Sequence, residues 1–257
     1  MTPTRLSDII GGQSERGRLA VGIYLVPGFP TWSASMEALG LCVNHGVDFI
    51  EFPAITKPQW SRRTGPVLAQ ALRDAQPYSE AEATAWLLRA PVRVAVVYGS
   101  AWPSPAAWSA PSSLRAGVCG YLFETDPPDI APYAMAAAEE GAVVIPAVDA
   151  TIVGLSDADR CLLSRGGGFV YASLGPRTGS RAASPADLQR KRAELRAVRP
   201  DLPVCAAFGI NQPADVEELR GGGACDGVII GSAALAKLGE GMAAFAGWLK
   251  EIAAAAK

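Results

Sequence analysis

The chain has 257 residues, 49% of them apolar and 19% charged, which is ordinary for a domain with a large buried core. Its formal net charge is −2, and no cluster of Lys and Arg is interleaved with aromatic residues, so nucleic acid is excluded as a ligand. No run of about 18 apolar residues occurs and the N-terminus has no apolar signal core, so we expect a soluble cytoplasmic protein that does not bind membranes.

Short β-branched runs alternate with helical segments along the chain, which is the pattern of a parallel sheet covered by helices. The predicted strands are 22–26, 48–52, 92–98, 120–123, 143–148, 168–173, 203–208 and 227–231. The predicted helices are 33–45, 79–89, 130–140, 156–165, 185–198, 213–222 and 242–255. Eight strands in this arrangement predict a (β/α)8 TIM barrel.

Two other architectures fit part of this pattern. The length alone allows two small domains, but no composition shift or linker divides the chain, so one domain over residues 1–257 is predicted. An open doubly wound sheet is disfavoured because no GxGxxG motif follows the first strand.

Cysteine and histidine give no sign of a metal site. The five cysteines are scattered without a CxxC pair, so we expect reduced, buried thiols and neither a disulfide framework nor a zinc site. The single histidine, His45, precedes Gly46 and is predicted to end a helix, where a histidine suits the helix dipole.

The last quarter of the chain has the strongest signal for a ligand site. Two apolar strands end in glycine, at Gly209 and Gly231, and glycine lets backbone N–H groups approach an anion closely. A phosphate held after the last two strands is a recurring arrangement in barrels, and the loop after the sixth strand would form a third wall. The alternative is that these glycines only make tight turns. The predicted phosphate-binding residues are Thr178, Gly179, Gly209, Gly231 and Ser232.

Six motifs also resemble those of a known family, in its order and spacing. They are GIYLVPGFPT at 22–31, DFIEFP at 48–53, GP at 65–66, YASLGPRTG at 171–179, AFGINQPADV at 207–216 and GVIIGSA at 227–233. Together they resemble tryptophan synthase alpha subunits over nearly the whole chain. The resemblance implies the aldol-type cleavage of indole-3-glycerol phosphate to indole and glyceraldehyde 3-phosphate, without cofactor or metal. It also implies a possible tryptophan synthase beta-type partner.

The family's catalytic Glu closes the second strand and matches Glu51, which the resemblance therefore implies is the general acid and base. On physical grounds, Glu51 is a lone carboxylate ending a largely apolar strand, where burial should raise its pKa. A salt bridge or a water-facing position at the barrel mouth is the alternative. The resemblance further implies that Tyr24, Tyr98 and Tyr171 line the substrate pocket, and Phe208 is expected with them. The alternative is that these aromatic residues belong to the core.

The loop after Glu51 departs from the family pattern. The family carries a second catalytic Asp there, which binds the indole N–H, whereas residues 54–64 contain no acid and include Lys57, Arg62 and Arg63. Aligned on the GP at 65–66, the missing Asp falls at Thr64, which cannot serve as a general base near neutral pH. Either this is a solvated loop, or the substrate is altered or a beta-subunit contact is lost.

Other acids and cations stand near the predicted site. Asp126, at the fourth strand exit, is the candidate second catalytic carboxylate, with Asp149 after the fifth strand as an alternative; each also suits a solvated or capping role. Arg177 either adds a cation to the phosphate site or lies on the surface.

Three functions therefore remain open. The first is a lyase acting on indole-3-glycerol phosphate. The second is a divergent paralogue acting on another phosphorylated substrate in a specialised pathway. The third is a weakly catalytic alpha-like subunit that activates a beta-type partner.

Overall fold

A computed structural model describes residues 6–53, 63–90, 92–97, 117–123 and 129–257. Its strands form one parallel sheet in the order β5-β4-β3-β2-β1-β9-β8-β7-β6. The strands are β1 Ala20–Tyr24, β2 Phe49–Pro53, β3 Arg93–Val97, β4 Gly120–Phe123, β5 Val143–Ile145, β6 Ala147–Asp149, β7 Val170–Ser173, β8 Val204–Ala207 and β9 Gly227–Ile230.

The two ends of this sheet belong to one interrupted strand. β5 pairs with β4 and β6 pairs with β7, and Pro146 alone separates them. Proline has no N–H to donate to a hydrogen bond between strands, although the Pro146 carbonyl still accepts from the Tyr171 N–H at 2.8 Å. The predicted strand 143–148 is therefore two segments, and the eight-stranded barrel expected from the sequence is confirmed.

Helices cover the outside of the barrel, and all seven predicted helices are present. The described helices are α1 Leu6–Ser14, α2 Trp32–Asn44, α3 Pro66–Asp74, α4 Glu80–Leu87, α5 Ala131–Glu139, α6 Asp157–Arg165, α7 Pro185–Val198, α8 Pro213–Gly221, α9 Ser232–Glu240 and α10 Met242–Ala255. Helices α1, α3 and α9, which are nine residues each, were not among the predicted helices, and α1 contains two glycines that weaken its helical signal.

Helix ends follow their sequence signals. Ser184 caps α7 in a reciprocal pair with Asp187, which is a capping box. His45 ends α2 ahead of Gly46, which has φ +76, so its predicted role as a helix end is confirmed.

Side chains of β2 alternate between the barrel interior and the helix layer. Phe49 points inward, against Phe169 at 5.5 Å between ring centroids, whereas Phe52 packs on Trp86 of α4. Successive strand residues face opposite sides, so the side chain of Glu51 shares the interior with Phe49. The local pleat thus directs a carboxyl group into the barrel.

The expectation that all five cysteines are buried is wrong for two of them. Cys42, Cys205 and Cys225 are buried as predicted, but Cys119 is half-buried and Cys161 is exposed on α6, and all five are free thiols. Cysteine was taken to be buried because its side chain is apolar, whereas Cys161 lies on the outward face of its helix. Across the described ranges, no three His, Cys, Asp or Glu side chains are grouped to hold a metal ion, and no helix could span a membrane.

Candidate active site

An open cavity lies at the carboxyl ends of the strands, and its empty volume of about 750 Å³ includes solvent space at the mouth. Barrel enzymes place their active groups at this end. Among the described residues that line it, Glu51 is the only carboxylate and Arg63 the only cation. The lining residues are Tyr24, Glu51, Arg63, Leu68, Val96, Leu122, Phe123, Ala147, Tyr171, Thr178, Gly179, Phe208, Gly209, Ile210, Asn211, Ile229, Gly231 and Ser232.

Glu51 is buried, with 3% of its surface exposed. Burial raises the pKa of its carboxyl group to about 8, because the charged form is poorly solvated there. Its Oε1 atom is enclosed and has no hydrogen-bond partner within the described part of the chain. Glu51 therefore carries a proton at neutral pH and presents a carboxylic acid to the cavity.

Three aromatic residues predicted to bind substrate line the same cavity. Tyr24 is paired in register with Glu51 on the neighbouring strand. The rings of Tyr171 and Phe208 lie 5.8 Å apart in an edge-on arrangement. Phe208 has φ +72, a backbone conformation that costs a bulky residue about 1–3 kcal/mol and that clusters at functional sites.

The predicted phosphate residues converge at another part of the cavity. Helix α9 starts at Ser232, and its N-cap, Gly231, gives it no side-chain cap. The first N–H groups of a helix have no partner within it, and the dipole makes this end positive. The Ser232 hydroxyl is enclosed and has no hydrogen-bond partner among the residues described, and a Cβ on Gly179 would lie 3.3 Å from it.

Thr178 and Gly209 shape this wall through close backbone contacts. The Thr178 hydroxyl accepts a hydrogen bond from the Gly65 N–H at 2.6 Å, so it joins the β7–α7 loop to the residues preceding α3. Gly209 has φ +64, and a Cβ there would lie 2.3 Å from the Cβ of Arg181. A larger residue at position 209 would push the two loops apart.

Arg63 lines the cavity, and its contact with the buried Ser173 was not predicted. An Arg63 Nη atom donates to the Ser173 hydroxyl at 3.1 Å, and the guanidinium lies over the Phe208 ring, 5.7 Å from its centroid. The basic character of this loop was visible in the sequence. The position of Arg63 in the cavity wall depends on the contact of its backbone with the β7–α7 loop.

Several predicted residues are placed elsewhere or not at all. Tyr98, Asp126, Lys57 and Arg62 lie outside the described residues, so their roles stay predictions. Asp149 accepts from the N–H and the hydroxyl of Thr151, at 2.8 and 2.6 Å, which closes a turn after β6. Arg177 is exposed and is not among the residues lining the cavity, which agrees with the surface alternative.

These features define a (β/α)8 barrel with a buried acid and an uncapped helix start at the mouth, and the comparisons identify its family. The family model described as tryptophan synthase alpha chain matches residues 114–256. The alpha chain of Rhizorhabdus wittichii is 30% identical over 98% of this chain and 94% of its own length. That of Streptomyces coelicolor is 28% identical over 89% and 85%. The chain belongs to the tryptophan synthase alpha chain family, so the resemblance read from its motifs is confirmed.

Solved structures agree on the fold. Mycobacterium tuberculosis tryptophan synthase superimposes with a TM-score of 0.78 at 24% identity, covering 98% of each chain. Tryptophan synthase subunit alpha from Legionella pneumophila gives 0.75 at 17% identity, again over 98% of each chain. At these identities the similarity shows the architecture, and the chemistry has to be argued from the residues of this chain.

Proposed function

We propose that this protein is a carbon–carbon lyase that cleaves indole-3-glycerol phosphate to indole and glyceraldehyde 3-phosphate, with Glu51 as general acid and base. The observation that carries the proposal is the enclosed carboxyl group of Glu51, raised in pKa to about 8 and facing a largely apolar cavity. A protonated acid whose Oε1 atom has no hydrogen-bond partner among the described residues is suited to give its proton to carbon.

The proton balance fits one carboxyl group. Glu51 gives its proton to the ring carbon that bears the glycerol chain and becomes a carboxylate. It then takes the proton of the adjacent chain hydroxyl while the carbon–carbon bond breaks. That bond's electron pair restores the aromatic ring, the hydroxyl carbon becomes the aldehyde, and Glu51 is again protonated. The apolar walls keep water from competing for the proton.

The phosphate is proposed to bind at the start of α9. The uncapped N–H groups, the Ser232 hydroxyl and the close approach of Gly179 supply donors and space for a dianion. Gly209 contributes its close backbone approach on the adjacent loop. Thr178 accepts from the Gly65 N–H and so holds its loop, and a hydroxyl that accepts can also donate, so we propose that it gives a hydrogen bond to the phosphate.

We expect Gly179→Ala to weaken binding of sn-glycerol 3-phosphate about tenfold, a loss of about 1.4 kcal/mol. The added methyl group would lie 3.3 Å from the Ser232 hydroxyl, where the phosphate is proposed to bind, and φ +83 adds backbone strain. Titration calorimetry measures the affinity directly.

Gly46→Ala is the matched control, because Gly46 has φ +76 and nothing within 4 Å of an added Cβ. Both variants should lose about 1–2 kcal/mol of stability from strain. Equal affinities in the two variants would rule out a phosphate beside Gly179.

The second catalytic carboxylate of the family has no counterpart at Thr64, so the proposed reaction here relies on Glu51, with Asp126 kept as a candidate helper. This loss also supports a second candidate function, an alpha-like subunit that mainly activates a beta-type partner. Assaying indole release from indole-3-glycerol phosphate, with and without a tryptophan synthase beta subunit, separates the two. Release by the protein alone supports the lyase, and stimulation of the partner without release supports the second function.

We propose that a beta-type partner contacts the loop after β6. Ile152 and Val153 are 60% and 71% exposed there, at the cavity end of the barrel, and exposed apolar neighbours are typical of contact surfaces. Changing both to Glu should reduce stimulation by the beta subunit at least about tenfold, since two charges would be buried on association. Indole release by the isolated variant should not change.

Met135→Glu is the control for this surface, because Met135 is 64% exposed but lies on α5 outside the cavity end. If the double variant and the control are stimulated equally, the beta-type partner binds elsewhere.

A further inference from the structure

We propose that Arg63 is a specificity-determining residue: its guanidinium covers the Phe208 face of the cavity, so that the aromatic ring of the substrate stacks on a planar cation. This inference rests on the proposed function, since it takes the substrate to carry an electron-rich ring.

The backbone of Arg63 is held tightly in place. Its carbonyl accepts a hydrogen bond from the Thr178 N–H at 2.9 Å, and two residues later the Gly65 N–H donates to the Thr178 hydroxyl at 2.6 Å. A Cβ on Gly65 would lie only 2.2 Å from the Thr178 carbonyl oxygen, so the two segments are in direct contact. This contact fixes where the Arg63 side chain begins.

The side chain is then oriented by groups at the ends of β7 and β8. It donates to the Ser173 hydroxyl, which is fully buried and itself donates to the Val148 carbonyl at 3.2 Å. Its guanidinium lies over Phe208, whose ring meets Tyr171. These contacts hold the guanidinium against the Phe208 face and in the wall of the cavity.

A guanidinium forms hydrogen bonds in its plane, so its flat face remains able to stack however its N–H groups are paired. A cation attracts the face of an aromatic ring most strongly when the ring is electron-rich. Such a contact contributes about 0.5–2 kcal/mol of binding free energy. The surrounding wall is apolar, with Leu68, Val96 and Leu122 among the lining residues. A flat, electron-rich aromatic ring such as indole matches this combination of walls better than an electron-poor ring.

The test measures ring binding separately from catalysis. The protein is saturated with sn-glycerol 3-phosphate, and the affinities of indole, 5-fluoroindole and 5-nitroindole are measured by calorimetry. In the unaltered protein, affinity should fall stepwise as the ring becomes electron-poor. In Arg63→Met, indole should bind about three- to thirtyfold more weakly and the three ligands should bind alike, because the cation is gone.

Arg177→Met is the matched control, since Arg177 is exposed on the β7–α7 loop outside the cavity lining, and it should keep the full preference. Arg63→Gln retains a planar group without charge and should also lose the preference, which covers the case in which the methionine variant folds poorly. A preference that survives in both Arg63 variants, or that is missing from the unaltered protein, overturns the inference. Tighter indole binding in Arg63→Met also overturns it, because the arginine would then block the Phe208 face.

The two measurements distinguish a failure of this inference from a failure of the proposed reaction. Indole release without any ring preference would leave the lyase standing and remove the role of Arg63. A ring preference without indole release would support the role of Arg63 and remove the lyase.

Discussion

Glu51→Gln is expected to lower kcat for indole release by at least about a thousandfold, since general acid–base groups contribute about 10²–10⁴ and Glu51 is proposed to act in both directions. Glutamine has nearly the same shape and no charge, so the cavity keeps its form while the transferable proton is lost. A coupled assay of glyceraldehyde 3-phosphate formation measures the effect. The affinity for sn-glycerol 3-phosphate should change less than about twofold, because the phosphate is proposed to bind elsewhere in the cavity, at α9.

Glu217→Gln is the control for this substitution, because Glu217 is exposed on α8 and should be silent. The unaltered enzyme should also lose kcat/KM as pH rises above about 8, where Glu51 gives up its proton. Turnover that persists in Glu51→Gln would remove Glu51 from the chemistry and make a residue outside the described ranges, such as Asp126, the first alternative.

The stability of the unliganded protein should fall as pH rises from about 4.5 to about 8. The pKa of Glu51 is raised from 4.5 to about 8 in the folded chain, so in this window the folded state holds a proton that the unfolded state has released. The free energy of unfolding then falls by up to about 1.4 kcal/mol per pH unit. Below pH 4.5 the contribution is fully present, and above pH 8 it is lost.

Glu51→Gln should remove this slope and be the more stable protein above pH 8, by roughly 3 to 5 kcal/mol. Urea denaturation at several pH values measures it. The pKa of Asp48 is also raised by burial, so a smaller decrease with pH remains in the variant. Parallel pH profiles for the two proteins would show that Glu51 is solvated and charged in the folded state, and would weaken its assignment as an acid.

Local chemistry was readable from the sequence because neighbouring residues produce it. The Ser184 cap and the His45-Gly46 helix end each depend on a few adjacent positions, and the helix end predicted at His45 agrees with the structure. The break at Pro146 is equally local, but residues 143–148 were predicted to form one strand because β-branched residues lie on both sides of it.

Assignment of the whole chain to one domain stays a prediction.

Contacts between loops that are far apart along the chain could not be predicted from the sequence. Arg63 and Ser173 are 110 residues apart, and their hydrogen bond depends on the β2–α3 and β7–α7 connections meeting above the barrel. The same holds for Thr178, whose hydroxyl accepts from the Gly65 N–H, 113 residues away, while its assignment to the phosphate stays a prediction. These placements depend on turn geometry and on backbone contacts, which produce no periodic pattern in the sequence.

The sequence by itself determined the barrel, the family and the position of Glu51 on its strand, because strand periodicity and motif order encode them. Only the tertiary structure decided what surrounds that carboxyl group. Closing the barrel buries Glu51 among apolar walls, and the desolvation that raises its pKa comes from residues on other strands. Closure also brings Gly179 to Ser232 and the guanidinium of Arg63 to Phe208, since only the folded sheet places the ends of β2, β7, β8 and β9 around one cavity.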